Sequence, residues 1–402
     1  MKKHIIISGG GIAGLTAAQL LLRMGHDVTV VDRAPEFTQA GFLLSLKSFG
    51  VTILEQLGLA PVLREASIPA EFMDFVDAAG SLISHNSYQE LANNTVPSIL
   101  LTRGGLHQVL YDSVKEQVNL VFGTTIEQVQ REGPRVRVTL SSHEVLDADL
   151  LIVAEGLRSA TRGTYFANSY LEDFNVFYVG GRIKKTHSYP VGSFTTIIAV
   201  DSMLSIYPIS REEVAIQCYV RGREEGSDYR SISRRLLQEK ANGYRADVQH
   251  LLAEFLPSEQ FYADKMGMVR APSLVDNGLV LLGDAGYCPT ALSGMGASLS
   301  IYGAKALAHF IGQSPDDMAL ACQQYDAIMQ PIIEKFQGNA RRNAASFLPK
   351  DEASLGLFKA AFSSTSESVL QQRLADQIGL TQDQLQLILG EPADQAHNGQ
   401  LS

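Results

Sequence analysis

Two glycine-rich segments, about 270 residues apart, hold the groups best suited to chemistry in this chain. The first, Gly9-Gly10-Gly11-Ile12-Ala13-Gly14, follows an apolar run and opens a helical pattern. In the spacing Gly9, Gly11, Gly14, one glycine permits a tight turn, one lets backbone approach a diphosphate, and one lets helix pack on strand. The N–H groups at the start of the helix then face the negative charge. Asp32, eighteen residues past Gly14, could accept hydrogen bonds from ribose hydroxyls, although an acid at a strand end is also an ordinary turn residue. Arg33 could stack near an adenine or simply be solvated. The second segment, Gly283 to Gly296, reads GDAGYCPTALSGMG. Asp284 follows an apolar strand, where a carboxylate meets a polyol such as a ribityl chain. Gly294 and Gly296, with Met295 and Ala297 beside them, free the backbone at the start of a further helix. The positive end of that helix could stabilise anionic charge on a reduced flavin ring. Pro289 would stiffen the wall between these elements. A nicotinamide dehydrogenase needs only the first loop, so a second, distant one implies a longer cofactor, FAD.

Elements of an α/β chain are expected to position these loops. HIIIS (4–8) reads as a strand, 12–25 as a helix with Gly25 as its C-cap, and DVTVV (27–31) as the next strand. Together they form the βαβ unit of a Rossmann-type doubly wound sheet. Residues 100–116 read as a loop into a helix, RVRVTL (135–140) as a half-exposed strand, and 145–156 as one strand emerging at Gly156. Between 174 and 220 the closely spaced strands FNVFYVGGRI, SFTTIIAV, MLSIYPIS and EVAIQCYV imply an antiparallel sheet inserted as a second domain. NGLVLLGDAG (277–286) resumes the buried parallel pattern, and helices follow from Gly296, over 334–348 and, more weakly, over 365–390. The expected division is an FAD-binding domain over 1–72, 97–170 and 268–335, a substrate domain over 73–96 and 171–267, a C-terminal helical segment over 336–395, and a tail over 396–402.

At 402 residues the chain exceeds one compact core. Apolar residues at 45% and charged residues at 19% fit a globular protein, and a net charge of -10 without a basic run disfavours nucleic acid or an anionic membrane as partner. MKKHIIISGGGIAGL superficially resembles a signal peptide, but glycines break its apolar run, and no stretch approaches eighteen uninterrupted apolar residues. Cys218, Cys288 and Cys322 share no CxxC spacing, so neither a disulfide framework nor a metal site is expected, and a reducing cytoplasm fits best.

Four motifs in order, GGGIAG with Asp32, TRGGL, ADLLIVAEGLRSATR and GDAGYCPTALSGMG, resemble the group A FAD-dependent aromatic monooxygenases of the para-hydroxybenzoate hydroxylase fold over roughly 4–345. The resemblance implies an FAD contact for Arg103 near the diphosphate or ribityl chain, although the residue could instead cap a helix. It also implies a cofactor role for Gly156, with Ser159 and Arg162 matching the pattern. Glu155 stands where the family has Asp, which puts the nicotinamide preference and rate of reduction in question. Tyr287 stands where many members have His, and Ser298 where many have Asn. The second glycine-rich segment and the C-terminal stretch are most similar to the branch that includes tetracycline-inactivating monooxygenases. There AGFLLSLKSFG (40–50) occupies the place of a segment near the flavin, with Lys47 in place of Arg. The implied reaction takes NADPH or NADH and O2 through a flavin hydroperoxide, and transfers one oxygen to an aromatic or polycyclic small molecule, in antibiotic resistance or in biosynthesis. The chain would act as monomer or homodimer, and no side chain is assigned as catalytic acid or base.

For the substrate wall the middle strands offer Tyr178, Arg182, Gln217 and Tyr219, with Met295 beside the flavin helix. Alternation puts Gln217 and Tyr219 on one face, which could equally be the domain core. His107 and His187 fit structural or solvent roles better than catalysis. The chain has no tryptophan, which excludes the Trp-x-Trp-x-Ile-Pro signature of tryptophan-type halogenases. A flavin-dependent reductase of the same fold, or a flavoprotein that sequesters aromatic ligands, are the rival readings.

Overall fold

The computed structural model describes residues 2–38, 43–87, 98–364 and 379–389. Residues 40–42 of the expected flavin-proximal segment, 88–96 of the substrate segment, 365–378 of the terminal helical pattern and the 396–402 tail lie outside the described residues.

The main sheet has six strands in the order Val275–Asp276, Leu279–Leu281, Leu150–Val153, His4–Ser8, Asp27–Asp32, Asn119–Phe122. All neighbours pair in parallel except the first two. Ile5, Ile6, Ile7 and Leu150 to Val153 are buried on both faces, which is why they read as unbroken apolar runs. The helix Ile12–Arg23 packs on one side and meets Gly296–Gln313, with the long helix Met318–Phe347 against the latter.

The expected single strand over 145–156 is two. Val145–Ala148 belongs to a three-stranded antiparallel meander with Arg135–Leu140 and Ile126–Glu132, and Leu150–Val153 enters the main sheet. The break falls at Asp149, whose carboxylate accepts from the backbone N–H of His4 and so fixes the chain where it changes sheet.

The inserted domain is a seven-stranded sheet in the order Tyr262–Arg270, Tyr170–Lys184, Glu213–Arg221, Ser202–Ser210, Ser193–Ala199, Phe72–Asp77, Leu82–Ser87. It is antiparallel apart from one junction, where Ser193–Ala199 runs parallel to Phe72–Asp77. One face, carrying Phe177, Val179, Ile183, Ile216, Cys218 and Val220, forms a second core under the helices Tyr229–Ala241 and Ala246–Phe255. The expected divisions at 267/268 and 335/336 fall inside the strand Tyr262–Arg270 and the helix Met318–Phe347, both of which run through without a break. Past that helix, Glu352–Ser364 packs on the Leu82–Ser87 edge and Gln382–Leu389 returns to the helix Gly296–Gln313, where Tyr302 donates to the carbonyl of Gln384. Among the described residues no helix is long and apolar enough to cross a membrane.

Candidate flavin and substrate site

The first loop meets the demands read from its spacing. Gly9 has φ +107°, and a Cβ there would lie 2.3 Å from the carbonyl oxygen of Ala154; one on Gly14 would lie 1.9 Å from that of Gly9. A Cβ on Gly11 would meet nothing within 4 Å, so that backbone is open for a ligand to approach. Ile12 and Ala13 are buried in the first turn of a helix that has no side-chain cap at its N-terminus. Asp32 accepts from the N–H groups of Gly10 (2.7 Å) and Ala34 (2.8 Å), which aims its carboxylate beside the loop. The recess there is lined also by Phe37, Thr38, His107 and Tyr111. Phe37 stacks on Tyr111 with ring centroids 3.9 Å apart, and Nε2 of His107 donates to the carbonyl of Gly10 (2.6 Å). His107 is therefore tied to the loop, and burial lowers its pKa. His187 donates to the carbonyl of Ser210 and is likewise structural. Arg33 is exposed. Phe37 and Tyr111 escaped sequence reasoning because their stack joins segments more than seventy residues apart.

Glu155 organises the next part of the site. Its Oε1 accepts from the hydroxyls of Ser8 and Thr161 (2.6 Å each), and Oε2 from the hydroxyl of Ser159 (2.7 Å) and the N–H of Thr161 (3.1 Å). One carboxylate thus joins the end of the first strand to the start of the helix Ala160–Tyr165. Gly156, at φ +80° with open space around it, turns the chain between them. The guanidinium of Arg162, buried, donates to the carbonyls of Ala285 and Leu157 (3.0 Å each) and so links this loop to the second glycine-rich segment.

That segment starts at Gly283 (φ +64°), where a Cβ would stand 2.6 Å from Cβ of Ala13. The contact packs the two glycine-rich loops against each other. Asp284 heads the short helix Asp284–Tyr287, and burial raises its pKa, partly offset by the positive charge of Arg103. Arg103 is exposed at the start of the helix Arg103–Asp112 and also acts electrostatically on Tyr178 and Tyr262. Thr102, rather than Arg103, caps that helix, accepting from the N–H of Gly105. Pro289 is buried; Gly294 is left-handed with open space around it, and Gly296 and Ala297 begin a helix whose N-terminus has no side-chain cap. Met295 is 1% exposed within the main core, so its side chain is removed from the expected substrate wall. The backbone N–H of Lys47 donates to Ser298 Oγ (2.9 Å), which brings Lys47 to this helix.

In the inserted sheet, register places Tyr178 opposite Tyr219 and Gly180 opposite Gln217. The rings of Tyr178 and Tyr219 stack 4.8 Å apart, and the amide of Gln217 donates to the hydroxyl of Tyr219 (2.7 Å). This face lies opposite the second core. It meets Leu292 of the second glycine-rich segment, Met203 and Phe347, the last edge-on to Tyr219 at 4.8 Å. Arg182 does not join the group. It lies four residues, roughly 13 Å, along the strand from Tyr178, pairs with Glu213 (3.4 Å), and lines a separate recess with Glu254, Ser258 and Gln260. Phe347 carried no signal in the sequence beyond the end of a helical pattern.

FAD fits the residues present. Two uncapped helix N-termini, open backbone at Gly11, Gly156 and Gly294, and the carboxylates of Asp32 and Asp284 match a diphosphate and two polyols. Comparison with known proteins agrees. The family described as FAD binding domain matches residues 2–319. A FAD-dependent monooxygenase of Sarocladium schorii is 26% identical over 87% of this chain and 89% of its own length. A flavin-dependent monooxygenase of Legionella longbeachae is 23% identical over 88% and 92%. Among solved structures, the tetracycline destructase Tet(51) superposes with TM-score 0.79 at 20% identity, covering 95% of this chain and all of that one (100%). HpxO of Klebsiella pneumoniae, in complex with FAD and uric acid, superposes with TM-score 0.82 at 22% identity over 93% and 96%.

Proposed function

This chain belongs to the FAD binding domain family and is an FAD-dependent monooxygenase of the aromatic-hydroxylase fold; on that premise we propose that it takes electrons from NADPH or NADH and inserts one atom of O2 into an aromatic or polycyclic small molecule. FAD supplies the oxygen chemistry when bound. The protein's own residues bind, orient and exclude water. Asp32 holds the adenosine ribose beside Phe37, His107 and Tyr111. The N–H groups at Gly11 to Ala13 take the diphosphate, with Gly156 open beside them, and Asp284 and Arg103 flank the ribityl chain. Lys47, Gly296 and Ala297 border the flavin ring, and Arg33 remains at the solvent edge of the adenine.

The observation that carries the substrate reading is the Tyr178–Tyr219 stack with Gln217, set on the sheet face away from the second core and joined by Phe347 and Leu292. Stacked rings with hydroxyl and amide groups at one edge suit a flat, oxygen-bearing ring system. The tetracycline destructase and the urate-bound enzyme of the same fold support a conjugated, oxygen-rich substrate, and a polyketide or tetracycline-like compound is the class proposed, which would give the protein a resistance or a biosynthetic role. Its three buried free thiols support a reducing, cytoplasmic setting.

Screening phenols, anthraquinones and tetracyclines against FAD-loaded protein for stimulated NAD(P)H oxidation tests this. The expected hit consumes oxygen and yields a product heavier by one oxygen atom. Hydrogen transfer without oxygen uptake would replace the reading with a reductase, and protein that takes up no FAD would end it.

A further inference from the structure

Lys47 ends the strand Leu43–Lys47 and precedes the helix Ser48–Gln56. Besides the bond from its backbone to Ser298 Oγ, a Cβ on Gly50 would stand 3.1 Å from Cα of Ser298, so the two helices touch beside the open backbone of the second glycine-rich segment. Alternation and register put Leu43, Ser45, Lys47 and Leu100 on one face of a two-stranded ladder. Leu43 and Leu100 on that face pack on Phe194, Ala215 and Tyr207, which belong to the sheet that carries Tyr178 and Tyr219. The Lys47 side chain therefore enters the gap between the flavin helix and the substrate sheet. Its Nζ donates to Ser45 Oγ (2.8 Å), and among the described residues no carboxylate pairs with it.

Among the described residues, the groups around it leave this cation without a counter-charge. The paired strand Ser98–Thr102 has no titratable side chain. The helix Ser48–Gln56 offers only Glu55, two turns away and beside Arg64 (3.9 Å). The helix Gly296–Gln313 offers Tyr302, which meets Phe49 edge-on, with Lys305 and His309 further along. From the sheet, Tyr207 packs in the cluster that holds Leu43 and Leu100. Burial alone pushes the Lys47 ammonium down to about 8.

We propose that Lys47 is the counter-charge of the bound flavin, already charged at neutral pH and, in mildly alkaline solution, taking a proton from solvent when the flavin is reduced and returning it on reoxidation. In the balanced step, two electrons and one proton convert oxidised FAD to its reduced monoanion, and one further solvent proton converts the Lys47 amine to the ammonium. The new negative charge and the new positive charge appear together in a site of low dielectric, where each stabilises the other. Coupling is reciprocal. Each tenfold gain in the lysine's hold on its proton is a tenfold preference of the protonated site for reduced over oxidised FAD. The inference rests on the flavin reading above.

The test is anaerobic reduction of FAD-loaded protein by dithionite, with proton uptake followed by an indicator dye between about pH 7.5 and 9.5, where the reduced flavin is the monoanion. Wild type is expected to take one proton per two electrons at the lower end and to approach two as Lys47 becomes neutral in the oxidised state. Lys47→Met and Lys47→Arg are both expected to take one throughout. They separate in potential, because at about pH 9 Lys47→Arg, always charged, lies at or above wild type and Lys47→Met below it. One proton throughout in wild type, or a second proton retained in Lys47→Met, overturns the inference and leaves the flavin reading intact. A protein that binds no FAD sinks both.

Discussion

Glu155→Asp keeps the carboxylate but shortens its arm, and in this chain it is expected to destabilise. The backbone at this point is pinned, because the N–H of Ala154 donates to the carbonyl of Ser8 (2.7 Å) and that of Leu282 to the carbonyl of Val153 (2.9 Å). Removing one methylene withdraws the carboxylate by about 1.5 Å, one carbon–carbon bond, and turns 2.6 Å contacts into gaps. The hydroxyls of Ser8 and Thr161, both buried, lose their acceptor. Bonds to a charged group contribute about 1.5–3 kcal/mol each and are not additive, so a loss of about 2–4 kcal/mol is expected for the pair. Glu155→Gln keeps the arm length. Three hydroxyls can rotate to match an amide and only the charge assistance is lost, so about 1–2 kcal/mol is expected. Urea unfolding of the flavin-free protein measures both, and FAD affinity should fall in the same order, because this carboxylate orders the loop ending at Gly156. A Glu155→Asp variant within about 0.5 kcal/mol of wild type, or less damaged than Glu155→Gln, would refute the claim that arm length is matched to Ser8 and Thr161.

Three further outcomes follow from single contacts. A Cβ at Gly303 would lie 1.9 Å from the hydroxyl oxygen of Tyr287, so Gly303→Ala is expected to cost about 1–3 kcal/mol in thermal or urea unfolding, and Tyr287→Phe should recover part of it in the double variant. Asp284→Asn should stabilise the flavin-free protein at neutral pH while weakening FAD retention. Burial raises the pKa of Asp284, so its favourable contribution is present below the unfolded value of 3.8 and is lost as pH rises through the folded value; the gap between variant and wild type should close in acid. Lys47→Met should stabilise the flavin-free protein by up to about 3 kcal/mol at pH 7, the cost of lowering a lysine from 10.5 to about 8, and by almost nothing above about pH 10.5. Urea midpoints at pH 7 and at the alkaline end check that slope.

What the sequence could disclose divides along a physical line. Gly9, Gly14 and Gly283 were legible because each glycine answers a local prohibition, a positive φ or a Cβ with no room, and local prohibitions leave a spelling. The doubly wound sheet was legible for a similar reason: burial on both faces writes itself as unbroken apolar runs. The sense of the inserted sheet was not legible, because alternation puts Gln217 and Tyr219 together without saying which side the helices Tyr229–Ala241 and Ala246–Phe255 will cover. Arg182 was offered for the wall as a residue of the middle strands, yet distance along the strand and the pairing with Glu213 set it apart from the tyrosine stack. Met295 was assigned by its neighbours in sequence, and its side chain turns into the core. Glu155 joins the two cases. Its longer arm is visible in the sequence, but its meaning depends on Ser8 and Thr161, which parallel pairing of His4–Ser8 with Leu150–Val153 and the turn at Gly156 bring within 2.6 Å. The longer arm thus reaches hydroxyls on two separate elements, the end of the strand His4–Ser8 and the start of the helix Ala160–Tyr165, a match that appears only once both are in place.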